Sequence, residues 1–228
     1  MEVITTDAMR TVADAAGWDA GLQYDVYQKE EKTSAGKGYL FIKRTFDIAA
    51  SVAAGIVLLL PMLLIAVLVR IDSHGPALFR QERLGKGGKP FTIIKFRTMY
   101  ENAEANGPQW AVTNDVRCTK FGRFLRHTHL DELPQIWNII KGDMSIVGPR
   151  PERAYFYDKF ELFVPGFCDR LEVRPGLTGL AQINGGYELG PEEKIINDME
   201  YIQNRSVKMD VYCILKTVRV VLKREGAK

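Results

Sequence analysis

The chain has 228 residues, enough for one domain with a small appendage, and 46% of them are apolar, which excludes a chain too polar to bury a core. Its 31 Lys and Arg against 28 Asp and Glu leave a net charge of +3, too small to point to nucleic acid, and no nucleic-acid partner is expected. Three widely spaced cysteines, Cys118, Cys168 and Cys213, argue against a disulfide framework and carry no C-x-x-C spacing; reduced thiols facing a cytosol-like compartment are expected.

Residues 1–38 are mixed and polar and end in Lys29–Gly38, a linker-like stretch, so they read as an N-terminal extension without signal-peptide character. The domain proper is expected over 39–228. Its dominant feature is Ile48–Val69, 22 residues without a charge. As a helix this run would measure ~33 Å, enough to cross a bilayer. Pro61 lies inside it and removes one backbone hydrogen bond. Lys43 and Arg44 precede the run, and Arg70, Arg80, Arg83, Lys86 and Lys89 follow it. Basic residues favour the cytoplasmic face, so both flanks pull to the same side. A helix over about 47–70 that enters one leaflet, turns at Pro61 and returns meets both preferences, and on charge alone it stands level with a plain span.

Ala77–Gln81 and Phe91–Phe96 read as two short strands joined through Gly85–Lys89, a β-hairpin; the glycines match neither nucleotide-loop spacing. Beyond Asp115 the pattern turns mainly helical. Lys120–Arg126 places Phe121, Phe124 and Leu125 on one face with cations beside them, the composition of a helix at a lipid interface. Leu130, Leu133, Ile136, Trp137 and Ile140 mark a second helix, closed by Gly142. Val211, Ile214, Leu215, Val218, Val221 and Leu222 recur at helical spacing near the end, a basic amphipathic helix.

The densest polar group is Arg126–Gln135, with Asp131 and Glu132 adjacent at the expected start of a helix. On its neighbours alone Asp131 reads first as a simple N-cap, and second as a carboxylate kept ionised near a phosphate, able to attack phosphorus. Arg150 stands between Pro149 and Pro151 on a stiff extended backbone suited to bidentate phosphate contact. Arg174–Gly185 has the Gly, Pro and Asn content of an ordered loop. Three functional classes fit these residues: a membrane enzyme of phosphoryl transfer, a tethered binding protein for anionic lipid heads, and a phosphatase or nucleotidase.

Taken in order, Lys43–Asp47, Phe79–Arg83, Lys95–Met99, Leu130–Gln135, Gly142–Ser145, Val147–Pro151 and Arg174–Gly179 resemble the bacterial sugar transferase family, the monotopic polyprenyl-phosphate phosphoglycosyl transferases of compact type. The resemblance runs from about Lys43 to Ala227. It implies an α+β, mainly helical fold with a re-entrant membrane helix, a short β-hairpin and amphipathic interfacial helices, on the cytoplasmic face of the bacterial inner membrane. It implies a Mg2+-dependent enzyme that passes a phosphosugar from a UDP-sugar to polyprenyl phosphate, usually undecaprenyl phosphate. UMP would be released through an aspartyl intermediate, in the first membrane step of glycoconjugate or exopolysaccharide assembly. On matching positions Asp131 is the nucleophile, Glu132 its partner in acid-base or metal work, and both are metal ligands. Lys95, Arg126, Pro149, Arg150 and Arg174 would bind substrate. The resemblance leaves room for a homo-oligomer. Two departures, glycine at Asn184–Tyr187 where many relatives carry arginine, and Asn204–Ser206 where Trp-Ser is common, bear on which sugar fits.

Overall fold

The computed structural model describes residues 35–105, 107, 115–186 and 189–223. The expected extension therefore lies almost wholly outside the described residues. The fold is α+β and mainly helical, as expected. Its first element, α1 (Lys37–Asp72), is a helical run of 36 residues that passes through Pro61. It begins about ten residues before the expected start, because the polar residues ahead of the apolar run dock it. Tyr39 Oη and Lys43 Nζ both donate to Asp210 Oδ2 at 3.0 Å. Arg44 donates to the carbonyls of Ile139 and Ile140 at 2.7 and 2.9 Å, and Asp47 Oδ1 accepts the Ile146 N–H at 3.1 Å. At the other end Ile65 and Val69 pack with Phe96 and Leu125, and Asp72 Oδ2 accepts the Phe121 N–H at 3.1 Å. Both ends of α1 thus rest on one body. Its outer face, with Ile56, Val57, Leu60, Leu63 and Leu64, is exposed and apolar.

The hairpin forms as β1 (Leu78–Leu84) and β2 (Pro90–Phe96), antiparallel and joined by a tight turn at Lys86–Gly88. Next come α2 (Lys120–His127), a 3-10 stretch over Leu130–Gln135, and α3 (Ile136–Lys141), closed by Gly142 at φ 101°. The expected second helix is therefore tight in its first turn, where Pro134 sits, and α-helical only from Ile136. Trp137 belongs to the outside of that helix rather than its core, being 62% exposed.

Two three-residue strands went unread in the sequence. β3 (Ser145–Val147) and β4 (Gly176–Thr178) pair in parallel. Between them lie α4 (Ala154–Glu161) and the 3-10 stretch Phe167–Glu172. α5 (Leu180–Ile183), α6 (Pro191–Asn204) and α7 (Val207–Lys223) complete the chain. Phe156, Tyr157, Phe160 and Phe167 form one core with Leu84, and Val147, Tyr201, Ile202 and Cys213 form another. On α7, Val211, Leu215, Val218 and Leu222 are exposed while Ile214 packs against the core, so most of the expected apolar face points away from the body.

Asp47 is 3% exposed, and its carboxylate is what fixes α1 against β3. Asp47→Ala leaves the Ile146 N–H without its acceptor and is expected to cost about 1–3 kcal/mol. Thermal unfolding of the detergent-solubilised protein reads this as a lower Tm.

Candidate active site

The site is assembled by β2, the 3-10 stretch and the turn after β3. Asn138 on α3 does the joining, and no sequence signal marked it. Its Nδ2 donates to the Thr92 carbonyl at 2.7 Å and its Oδ1 accepts the Ile94 N–H at 3.1 Å, so its amide stands in for a neighbouring strand along β2. That holds Lys95, the next residue, beside Asp131 and Glu132.

Asp131 is not an N-cap. The residue before the 3-10 stretch is His129, in the left-handed conformation at φ 57°, and no side chain caps the turn. Asp131 is instead turned inward and 8% exposed. Burial, then the adjacent Glu132, push its carboxyl above the ordinary range, while Lys95, Arg126 and Arg150 oppose the rise. Glu132 behaves oppositely. Burial raises it, but the Arg150 guanidinium, by charge and hydrogen bonding, together with Lys95 and His129, outweighs that and holds it well below the usual range. Arg150 grips both Glu132 oxygens, with Nη1 to Oε2 at 3.3 Å and Nη2 to Oε1 in a closer contact. Lys95 is lowered to about 8 by burial first, then by Arg83 and Arg150.

Lys95, Arg126 and Arg150, three of the residues expected to bind substrate, all act on the Asp131 carboxylate, and Lys95 and Arg150 act on Glu132 as well. Arg126 also donates to Cys118 Sγ at 3.2 Å. Pro149 is buried, and its carbonyl accepts the Gly176 N–H at 2.8 Å, so it stiffens the Arg150 turn from behind. Arg174 lies apart from these charges. It is exposed, donates from Nε to the Gly142 carbonyl at 3.0 Å, and lines a separate cavity with Lys43, Arg44 and Ser145. The Arg174 backbone passes close to Gly148, but its side chain turns to the Gly142 carbonyl and not to the carboxylate pair.

A divalent cation would find oxygen donors in Asp131 and Glu132. The raised Asp131 carboxyl is short of positive charge, which is the condition a cation relieves. Among the described residues no three His, Cys, Asp or Glu side chains form a cluster that would cage a metal alone. Mg2+ is held through one or two carboxylates plus waters and substrate phosphates, so the pair fits it.

The sequence profile described as bacterial sugar transferase matches residues 38–224. The chain is 45% identical over 194 residues to the UDP-N-acetylgalactosamine-undecaprenyl-phosphate N-acetylgalactosaminephosphotransferase of Aeromonas hydrophila, covering 83% of this chain and 46% of that one. It is 42% identical over 191 residues to the UDP-glucose:undecaprenyl-phosphate glucose-1-phosphate transferase of Caulobacter vibrioides, covering 81% of this chain and 71% of that one. It is 38% identical over 203 residues to the undecaprenyl-phosphate galactose phosphotransferase of Salmonella typhimurium, covering 82% and 42%. The chain thus spans less than half the length of the Aeromonas and Salmonella proteins.

An Asp whose folded pKa stands above its unfolded value destabilises the fold once the pH passes that unfolded value of ~3.9, and does so fully above the folded one. Asp131→Asn removes the burdened charge. The variant is expected to be more stable at pH 7 by about 1–3 kcal/mol, with the difference vanishing below about pH 4. Tm measured across pH checks both the gain and its disappearance.

Proposed function

The chain belongs to the bacterial sugar transferase family, and from that premise we propose that it transfers a phosphosugar from a UDP-sugar to polyprenyl phosphate. Undecaprenyl phosphate is the carrier in the names of its relatives. The observation that carries this reading is the unequal treatment of two adjacent carboxylates: Glu132 is neutralised by Arg150, while Asp131 is buried and undercompensated.

An undercompensated carboxylate surrounded by Lys95, Arg126 and Arg150 is suited to receive a diphosphate, whose charge those cations offset. Asp131 attacks the β-phosphorus. An Asp131 Oδ–P bond forms, the bridging P–O bond breaks, and its electron pair leaves with UMP. A polyprenyl phosphate oxygen then attacks the same phosphorus, giving the diphosphate-linked sugar and freeing the Asp131 carboxylate. Glu132, held ionised, serves as the fixed partner of the pair. Mg2+, when bound by Asp131 and Glu132, would neutralise phosphate charge. Phosphoryl transfer depends mainly on such positioning and neutralisation.

The acceptor's phosphate lies at a membrane surface, which explains the anchor. The described residues contain one helix long and apolar enough to cross a membrane, α1. Its two ends are tied to the same body, which favours a re-entrant course over a span. Basic flanks favour the cytoplasmic face of the inner membrane, where UDP-sugars would be supplied for glycoconjugate or exopolysaccharide assembly.

Detergent-solubilised protein with Mg2+, UDP-sugar and undecaprenyl phosphate is expected to release UMP and form the lipid-linked sugar. Asp131→Asn is expected to lower this at least about a thousandfold; undiminished turnover would remove the nucleophile. For topology, Ile42→Cys and Arg80→Cys in intact cells should both react with an impermeant maleimide only after the cytoplasmic side is opened. Labelling of one site alone from outside would establish a span. The native cysteines, all buried, should give little background.

A further inference from the structure

Four consecutive carbonyls around Arg150 are each held by a donor. Pro149 accepts from Gly176 N–H at 2.8 Å, and Glu152 from Leu84 N–H at 3.1 Å. Between them, Arg150 accepts from Arg170 Nη2 at 2.9 Å and Pro151 from Arg83 Nη1 at 3.4 Å. Two of the four donors are thus arginine side chains brought from elsewhere in the fold.

Arg170 is the more deeply buried of these, at 2% exposed. Its Nε donates to Asp198 Oδ2 at 2.7 Å, and Asp198, on α6, is fully buried. The guanidinium also lies 4.6 Å from the Phe167 ring centroid, within cation–π range. One rigid fork therefore spans two partners, a carboxylate on α6 and the Arg150 carbonyl. A lysine ammonium has no such planar fork and cannot reproduce both bonds.

Taking an Arg–Asp pair out of water is expensive, and apolar residues of similar volume are often as stable. Stability alone is therefore a poor account of this pair. Its geometric product is a pinned Arg150 backbone, and Arg150 is the residue that grips Glu132 beside Asp131. Misplacement of a catalytic group by ~1 Å can cost ~100-fold in rate.

We propose that Arg170, secured by Asp198, is a positioning residue that fixes where the Arg150 guanidinium meets the carboxylate pair. Neither residue touches the reacting atoms. The inference rests on the transfer reading given above.

The test is a double-mutant cycle on the full chain in detergent, following lipid-linked product and normalising to folded protein. Arg170→Lys keeps the charge and loses the fork. It is expected to lower kcat about tenfold while changing the donor KM less than about twofold. In an Arg150→Lys background the same substitution is expected to cost less than about twofold, because the residue it acts through is already altered. Asp198→Asn, nearly isosteric, is expected to follow the same pattern, and it decides the matter if Arg170→Lys does not fold. A lowered Tm with unchanged kcat per folded molecule overturns the inference, and so does an equal loss in both backgrounds. Wild-type protein that forms no lipid-linked product would overturn the transfer reading and this inference together, a result distinct from an active enzyme insensitive to Arg170.

Discussion

Two carboxylates one residue apart cannot share a buried site on equal terms, and Arg150 breaks the tie. By gripping Glu132 it fixes one charge and leaves the other, Asp131, to bear the cost of burial. Like charges close together in a weakly polar site push their affinities for protons apart. The member left undercompensated is the one with most to gain from an incoming cation and the phosphates it brings. The site is thus electrically unfinished, and the folded chain carries that burden in exchange for reactivity, as functional sites commonly do.

The surrounding architecture reads as a means of keeping that asymmetry in place. Asn138 ties α3 to β2 and so sets Lys95. The β3–β4 pair backs the Arg150 turn through the Gly176 N–H. Gly148 lets the two backbones meet, since a Cβ there would lie 2.5 Å from the Arg174 carbonyl. α1 then attaches this body to its apolar helix through Arg44 and Asp47, which bond to the end of α3 and to β3, elements that also frame the site. Anchor and site are therefore coupled through short connections, as the proposed transfer to a membrane-surface phosphate requires.

Features with local causes were legible in the sequence. The hairpin announced itself through Gly85–Lys89, the apolar run through its lack of charge, and the end of α3 through Gly142. Arg150 is legible from the two prolines that flank it, Lys95 and Arg126 only from motif order, and all three act on Asp131. Features with distant causes were not legible. β3 and β4 are three residues each and pair across an intervening helix, leaving no periodicity to read. Asp131 resembled an N-cap because its neighbours suit a helix start; the left-handed His129 places it otherwise. Arg174 was grouped with the phosphate-binding arginines by motif alone, and the parallel strand pair carries it to another cavity. The Arg170–Asp198 pair joins residues 28 positions apart with no local signature in either.

The central claim is that Asp131 becomes covalently bonded to phosphorus. Its most direct test is mass spectrometry of the wild-type protein quenched after mixing with Mg2+ and a UDP-sugar, with no lipid acceptor present. The account predicts a mass increase of one phosphosugar, mapped to the peptide carrying Asp131 and lost once undecaprenyl phosphate is added. Turnover of the same preparation to lipid-linked sugar without any such adduct, or an adduct on another side chain, would contradict it.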